Sequence, residues 1–136
     1  MYLQATYDEI NDIIARKAGI KGLSLAYHSP DTTKVSFVLN LGLASPTVSA
    51  KVKFVSIEGS RVKADIDAGS IGGFVLDKAK KLIIDKTPDG LVEHLDGKQA
   101  VLNLEAIPEL KSVFDTVAVN GLSFSENAVC VDANLK

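Results

Sequence analysis

Tryptophan is absent, and only three tyrosines and five phenylalanines occur among 136 residues. Surfaces that stack nucleobases are built from such rings, so a single-strand nucleic-acid reader lacks its raw material here. A net charge of −2, from 15 basic and 17 acidic side chains, also lacks the basic excess that a polyanionic partner requires. No nucleic-acid partner is expected. One cysteine, Cys130, excludes an internal disulfide and leaves the redox compartment open. Neither His28 nor His94 has a second His or Cys three or four positions away, so the spacing of a zinc site is missing. No run reaches the ~20 apolar residues of a membrane-spanning helix. Met1-Tyr2-Leu3-Gln4 does not carry the basic start and apolar stretch of a signal peptide. Localisation is thus unknown, with the cell envelope still open if the N-terminus has been trimmed.

What is present is aliphatic. Apolar residues make up 46% and charged ones 24%, ordinary for a globular chain, and the core has to be built from Val, Ile, Leu and Ala. The length suits one domain spanning 1–136. Thr6-Tyr7-Asp8-Glu9 has the form of a capping box, predicting a helix that begins there. Ile10, Ile13, Ile14 and Ala18 fall at helical spacing, and Asp8 and Glu9 at one end oppose Arg16 and Lys17 at the other, as the helix dipole favours.

From Leu23 onward the period shortens to two. Leu23, Leu25 and Tyr27 alternate ahead of a turn at His28-Ser29-Pro30-Asp31. Val35, Phe37, Leu39, Leu41 and Leu43 predict one long strand, broken by Ser45-Pro46. Val48, Ala50, Val52 and Phe54 predict the next, with Val55 and Ile57 out of phase and hence a bulge near Phe54. Val62, Ala64, Ile66 and Ala68 then alternate strictly with Arg61, Lys63, Asp65 and Asp67, the signature of an antiparallel strand with one wet face.

The chain is organised around 71–104. Ile71, Phe74, Val75, Ala79, Leu82 and Ile83 repeat at helical spacing, with Asp77, Lys78, Lys80, Lys81 and Asp85 facing out and Ser70 as the expected N-cap. Thr87-Pro88 predicts the end of this helix and the start of a short second one, with Leu91, Val92 and Leu95 inward up to Asp96-Gly97. A strand over 99–106, a helical turn or two from Pro108, and a final hairpin of Val117–Phe124 with Ala128–Leu135 complete the pattern. Asn120-Gly121 shifts the apolar phase and predicts a second bulge. The expected fold class is α+β: a long curved antiparallel β-meander, an N-terminal helix and a long central helix packed on one face, and a closing β-hairpin.

No cluster carries the spacing of a reaction. His28 and His94 read as surface histidines and Cys130 as a structural or incidental thiol, since the basic or helix-terminal setting that a nucleophilic thiolate needs is not nearby in sequence. Asp65 and Asp67 share a strand face about 7 Å apart, a spacing open to metal or acid–base work, but they continue a solvent row begun by Arg61 and Lys63. Ser70-Ile71-Gly72-Gly73 lacks the Gly-Lys-Ser/Thr ending of a phosphate loop. No catalytic residue, metal or cofactor is assigned. The lysines 78, 80, 81 and 86 make an outer helix face whose usual meaning is plain solubility, and which is also of the kind that touches anionic headgroups. Apolar faces on two helices and several strands, with few rings to fill space, close a core or leave a slot between the layers.

The Thr6-Tyr7-Asp8-Glu9-Ile10-Asn11 helix, the long meander, the helix over 71–86, Ala106-Ile107-Pro108-Glu109-Leu110 and Val117-Ala118-Val119-Asn120-Gly121-Leu122 together resemble the small bacterial members of the tubular lipid-binding (TULIP-like) superfamily, of the LmeA and YceB type. The resemblance covers most of the chain and rests on spacing and hydrophobic pattern. It implies a curved sheet wrapped around a long helix with an acyl chain between them. It further implies a lining from Ile10, Ile14, Phe37, Leu39, Val75, Ala79 and Leu82. The function expected is non-enzymatic binding of a lipid, fatty acyl or other hydrophobic ligand, with peripheral membrane contact. The alternative is a structural or adaptor module with a solid core that docks protein, and the oligomeric state is left open.

Overall fold

The computed structural model of the chain describes residues 1–136 except Ala18, and of Lys17 the backbone only. Ala18 in the apolar stripe and the Lys17 charge at the helix end therefore lie outside the described residues. Two antiparallel sheets and three helices make an α+β fold with a long antiparallel meander. Strands β2 (Ser24–Ser29), β3 (Thr32–Val38), β4 (Thr47–Glu58) and β5 (Arg61–Asp67) follow one another as neighbours in a six-stranded sheet of order β2-β3-β4-β5-β7-β6. Its far edge is the hairpin of β6 (Val92–Leu95) and β7 (Gln99–Asn103). A three-stranded sheet of order β1-β9-β8 joins β1 (Tyr2–Thr6) to β8 (Val117–Phe124) and β9 (Ala128–Leu135). Strand β8 lies against β4, and the Phe124 amide donates to the Pro30 carbonyl at 2.8 Å, linking the sheets.

Alternation sorts the six-stranded sheet into two faces. Register pairs Phe37 with Val48, Val35 with Ala50, Val52 with Ile66 and Phe54 with Ala64, so apolar side chains meet across strands on one side. On the other side Lys51 stands opposite Asp67, Lys53 opposite Asp65 and Ser36 opposite Ser49, whose hydroxyls lie 2.8 Å apart. The register shifts between Phe54 and Ser56, so the expected bulge falls on Val55, which is left exposed. A second shift between Val119 and Gly121 is the other expected bulge.

Helix α1 (Tyr7–Lys17) opens on the expected capping box. The Thr6 amide donates to Glu9 Oε1 at 3.2 Å, and the Glu9 amide to Thr6 Oγ1 at 3.1 Å. Such a cap contributes about 1 kcal/mol by satisfying amides that the helix cannot. Helix α2 (Gly73–Lys86) covers the apolar sheet face and buries Ala79. Helix α3 (Pro108–Thr116) starts with proline at its first turn and buries Phe114.

Four expectations are corrected. The segment after Pro88 is not helical: Leu91 donates back to the Pro88 carbonyl, Gly90 has φ of 85°, and Val92–Leu95 pairs with β7. A turn at Gly90 and another at Asp96 leave too few residues for a helical nucleus, whereas a hairpin satisfies their backbone at once. The Arg61 guanidinium also grips Glu93 of β6 at 2.7 Å and 3.3 Å. Strand β3 stops at Val38, because Asn40 accepts from the Gly42 amide in a turn that leaves Leu43 fully exposed while Leu39 stays buried. Ser70 does not cap α2; Gly72 occupies that position with no side-chain bond. The strand from Gln99 ends at Asn103, whose side chain accepts from Glu105 and caps a 3-10 turn, Leu104–Ala106. Strand β1 was not expected at all.

Ile20, Phe37, Leu39, Val48 and Ala79 form the buried cluster between α2 and the sheet, with Leu23, Leu41, Ile71, Val75, Leu82 and Ile83 partly buried around it. Phe37→Ala is expected to cost about 3–5 kcal/mol in a denaturant melt, as ring deletions in cores do. Tyr7 is buried and its hydroxyl has no partner among the described residues. Removing that desolvated group in Tyr7→Phe is expected to raise stability by about 1 kcal/mol in the same assay.

Candidate functional site

Between α2 and the sheet lies a pocket of about 110 Å³. Its sheet wall is Val35 and Phe37 from β3, Val48, Ala50 and Val52 from β4, and Ile66 with Ala68 at the end of β5. Ile71, Leu76, Ala79, Lys80 and Ile83 make the opposite wall, and Leu95 and Asp96 from the β6–β7 turn close one end. Phe37, Val48 and Ala79 are buried, while the other lining residues keep part of their surface in water, so the pocket opens to solvent. Alanines at 50, 68 and 79 create it: a larger side chain at any of these registers would project into the space.

The size decides what fits. Sites for drug-sized ligands start at about 300 Å³, whereas an engineered apolar cavity of about 150 Å³ takes up benzene. At 110 Å³ the pocket accommodates one small apolar group or the end of a chain whose remainder lies outside.

Charge sits only at its margin. Asp96 is fully occupied: Oδ1 accepts from the Lys98 and Gln99 amides at 2.7 Å each, and Oδ2 lies 2.9 Å from His94 Nε2. Those backbone donors, then the histidine, lower its pKa from 3.8 to about 2. Lys80, expected on the outer face, is half-buried at the rim and has no ion-pair partner among the described residues. Phe74, expected on the apolar face, is instead 66% exposed, with Lys78 Nζ 5.6 Å from its ring centre.

Of the lining implied by the family resemblance, Phe37 and Ala79 border the pocket. Leu39, Val75 and Leu82 belong to the hydrophobic cluster beside it. Ile10 and Ile14 are half-buried on α1, which packs on β2 and β1 and whose Asn11 side chain bonds the Leu25 backbone. Outside that expected lining are Val35 of β3, the β4 and β5 contributors, Ile71, Leu76, Lys80 and Ile83 on the helix side, and Leu95 with Asp96 at the end. The strand alternation was visible, but cross-strand register is what brings Ala50, Val52, Ile66 and Ala68 under α2.

The polar face holds a shallow groove between His28, Asp31, Lys51, Lys53, Asp65 and Asp67. Three carboxylates there outnumber two lysines; Lys53 Nζ is 3.8 Å from Asp31 Oδ2, and hydrogen bonds from Thr32 and Ser29 hold the Asp31 carboxyl below its ordinary pKa. Among the described residues no group of three His, Cys, Asp or Glu side chains is placed to hold a metal. Nor is any described helix long and apolar enough to cross a membrane.

Because folding lowers the Asp96 pKa, its contribution to stability is present above about pH 4 and lost as pH falls toward 2. Asp96→Ala is therefore expected to be less stable than the parent chain near neutral pH, and the gap to close over that window in melts run across pH. A gap that stays constant down to pH 2 would show that the carboxylate is not what holds the turn.

Set beside known proteins, the chain matches no family model, no curated protein and no solved structure.

Proposed function

We propose that the chain is a non-enzymatic binder of a hydrophobic ligand, taking an acyl-chain end or similar apolar group between α2 and the six-stranded sheet. The observation that carries this reading is a carbon-walled pocket open to solvent, with its charged residues confined to the rim. Removing apolar surface from water at ~25 cal/mol per Å² supplies the driving force. A polar head stays in water near Lys80 and the outer face of α2. That face carries exposed Phe74 and Ile84 among Lys78, Lys81, Asp77 and Asp85, so its apolar residues more than its net charge suit it to peripheral contact with lipid. The tubular lipid-binding resemblance implies the same ligand class.

A second reading, a module that docks protein, is favoured by one observation: β1 leaves its outer edge uncovered.

Native mass spectrometry of the purified chain, followed by lipid extraction, tests the first reading. A co-purifying or added fatty acid is expected to bind at one per chain. Ala50→Leu and Ala68→Leu, which grow into the pocket, are expected to reduce that uptake at least tenfold without loss of fold by circular dichroism. A chain that ignores fatty acids and phospholipids, or variants that bind as well as the parent, would overturn it.

A further inference from the structure

The sheets have four edges, and three are guarded. On β2, the outward peptide of Leu25 is closed by the Asn11 side chain, which accepts from its amide at 2.7 Å and donates to its carbonyl at 2.9 Å. Strand β6 is four residues long, interrupted between Val92 and His94, and carries Glu93. Strand β8 lies against β4. Natural sheets protect edges by such means because unpaired backbone recruits other chains.

Strand β1 carries one such guard, at its end alone, where the Glu9 carboxylate takes the Thr6 amide. Ala133 donates to the Met1 carbonyl at 2.9 Å and Tyr7 to the Asn127 carbonyl at 3.0 Å, so residues 1, 3, 5 and 7 turn their backbone toward β9. Tyr2, Gln4 and Thr6 turn theirs outward. The Thr6 amide is taken by Glu9, whereas the amides and carbonyls of Tyr2 and Gln4 have no partner among the described residues. Tyr-Leu-Gln-Ala-Thr contains no charge, proline or glycine, and Tyr2 and Leu3 are 70% and 45% exposed.

We infer that this edge is a self-association surface, and that two copies of the chain pair antiparallel through β1 about a twofold axis at Leu3. A twofold pairing sets every residue of the patch against the same patch, so a charge on β1 would face its own kind; the strand has none. Centring on Leu3 sets Tyr2 of one copy opposite Gln4 of the other, and their free amides and carbonyls satisfy one another completely. Centring on Gln4 instead requires the Thr6 amide, which Glu9 already holds. The register follows from which donors are spare. Leu3 meets Leu3 at the close, non-hydrogen-bonded position, about 4.5 Å between Cα atoms. The two small sheets become one continuous sheet with no free edge at β1. The ligand pocket under α2 plays no part in this pairing.

Analytical ultracentrifugation of the full chain over micromolar concentrations is expected to show a species of twice the 14.4 kDa chain mass. Gln4→Pro deletes an amide that no intrachain bond uses, and proline is tolerated at such edge positions; it is expected to leave the fold intact and shift the protein to monomer at least tenfold in concentration. Leu3→Lys places like charges face to face and is expected to do the same, so a folding defect in one variant leaves the other to decide. In a Cys130→Ala background, Leu3→Cys is expected to cross-link the copies on mild oxidation, at a Cα separation within disulfide range, while Tyr2→Cys and Gln4→Cys do not. A chain that stays monomeric to millimolar concentration, a dimer that survives both substitutions, or cross-linking favoured at position 2 or 4 would overturn the inference.

Discussion

Helix α2 and the apolar face of the six-stranded sheet depend on each other. The helix spans fourteen residues and buries only Ala79 fully, leaving Val75, Leu76, Leu82 and Ile83 half-covered against Val35, Phe37, Val48 and their neighbours. Either surface alone would expose a broad greasy area to water, and their contact is the main apolar burial available to a chain with so few rings. The hairpin β6–β7 extends the sheet beneath the helix, and the Asp96 turn holds its tip. The small β1-β9-β8 sheet attaches through β8 beside β4.

Local signals in the sequence translated into local structure wherever they were complete within one segment. Thr6 and Glu9 specify the α1 cap between themselves, and the strict alternation of Arg61–Asp67 is reproduced in its burial. Both phase breaks, at Val55 and after Val119, became register shifts because a bulge is the only way to change faces without leaving the sheet. What failed was decided by partners distant in sequence. Val92–Leu95 has helix-compatible spacing, and only pairing with β7 and the Arg61–Glu93 bridge make it a strand. Residues 2–6 carry almost no periodic signal; β9, more than a hundred positions away, makes them a strand.

The same distinction explains how much of the candidate site was legible. Alternation marked which face of each strand is apolar, and helical spacing marked the inward face of α2; of the lining that the family resemblance implies, Phe37 and Ala79 border the pocket. Neither signal reveals which registers coincide beneath a helix. Ala50, Val52, Ile66 and Ala68 come together through β3–β4 and β4–β5 pairing, and Lys80 reaches the rim because α2 sits with Ala79 against the sheet. Leu43 and Phe74 are the converse: apolar residues in good phase that the backbone carries into solvent.

A pocket lined with alanine is also a packing deficit, and its size can be weighed. Unfilled core volume costs about 24 cal/mol per Å³, so a closed void of 110 Å³ would forgo roughly 2–3 kcal/mol, with less lost where water enters from one side. That is a large share of the 5–15 kcal/mol that holds a typical domain together. Water entering from the open side recovers little of it, because the carbon walls give a water molecule nothing to bond. An apolar group recovers it through dispersion contacts with every wall at once. The deficit is therefore specific in what can relieve it. The β-register sets the alanines, and α2, with Lys80 at its edge, sets the opposite wall.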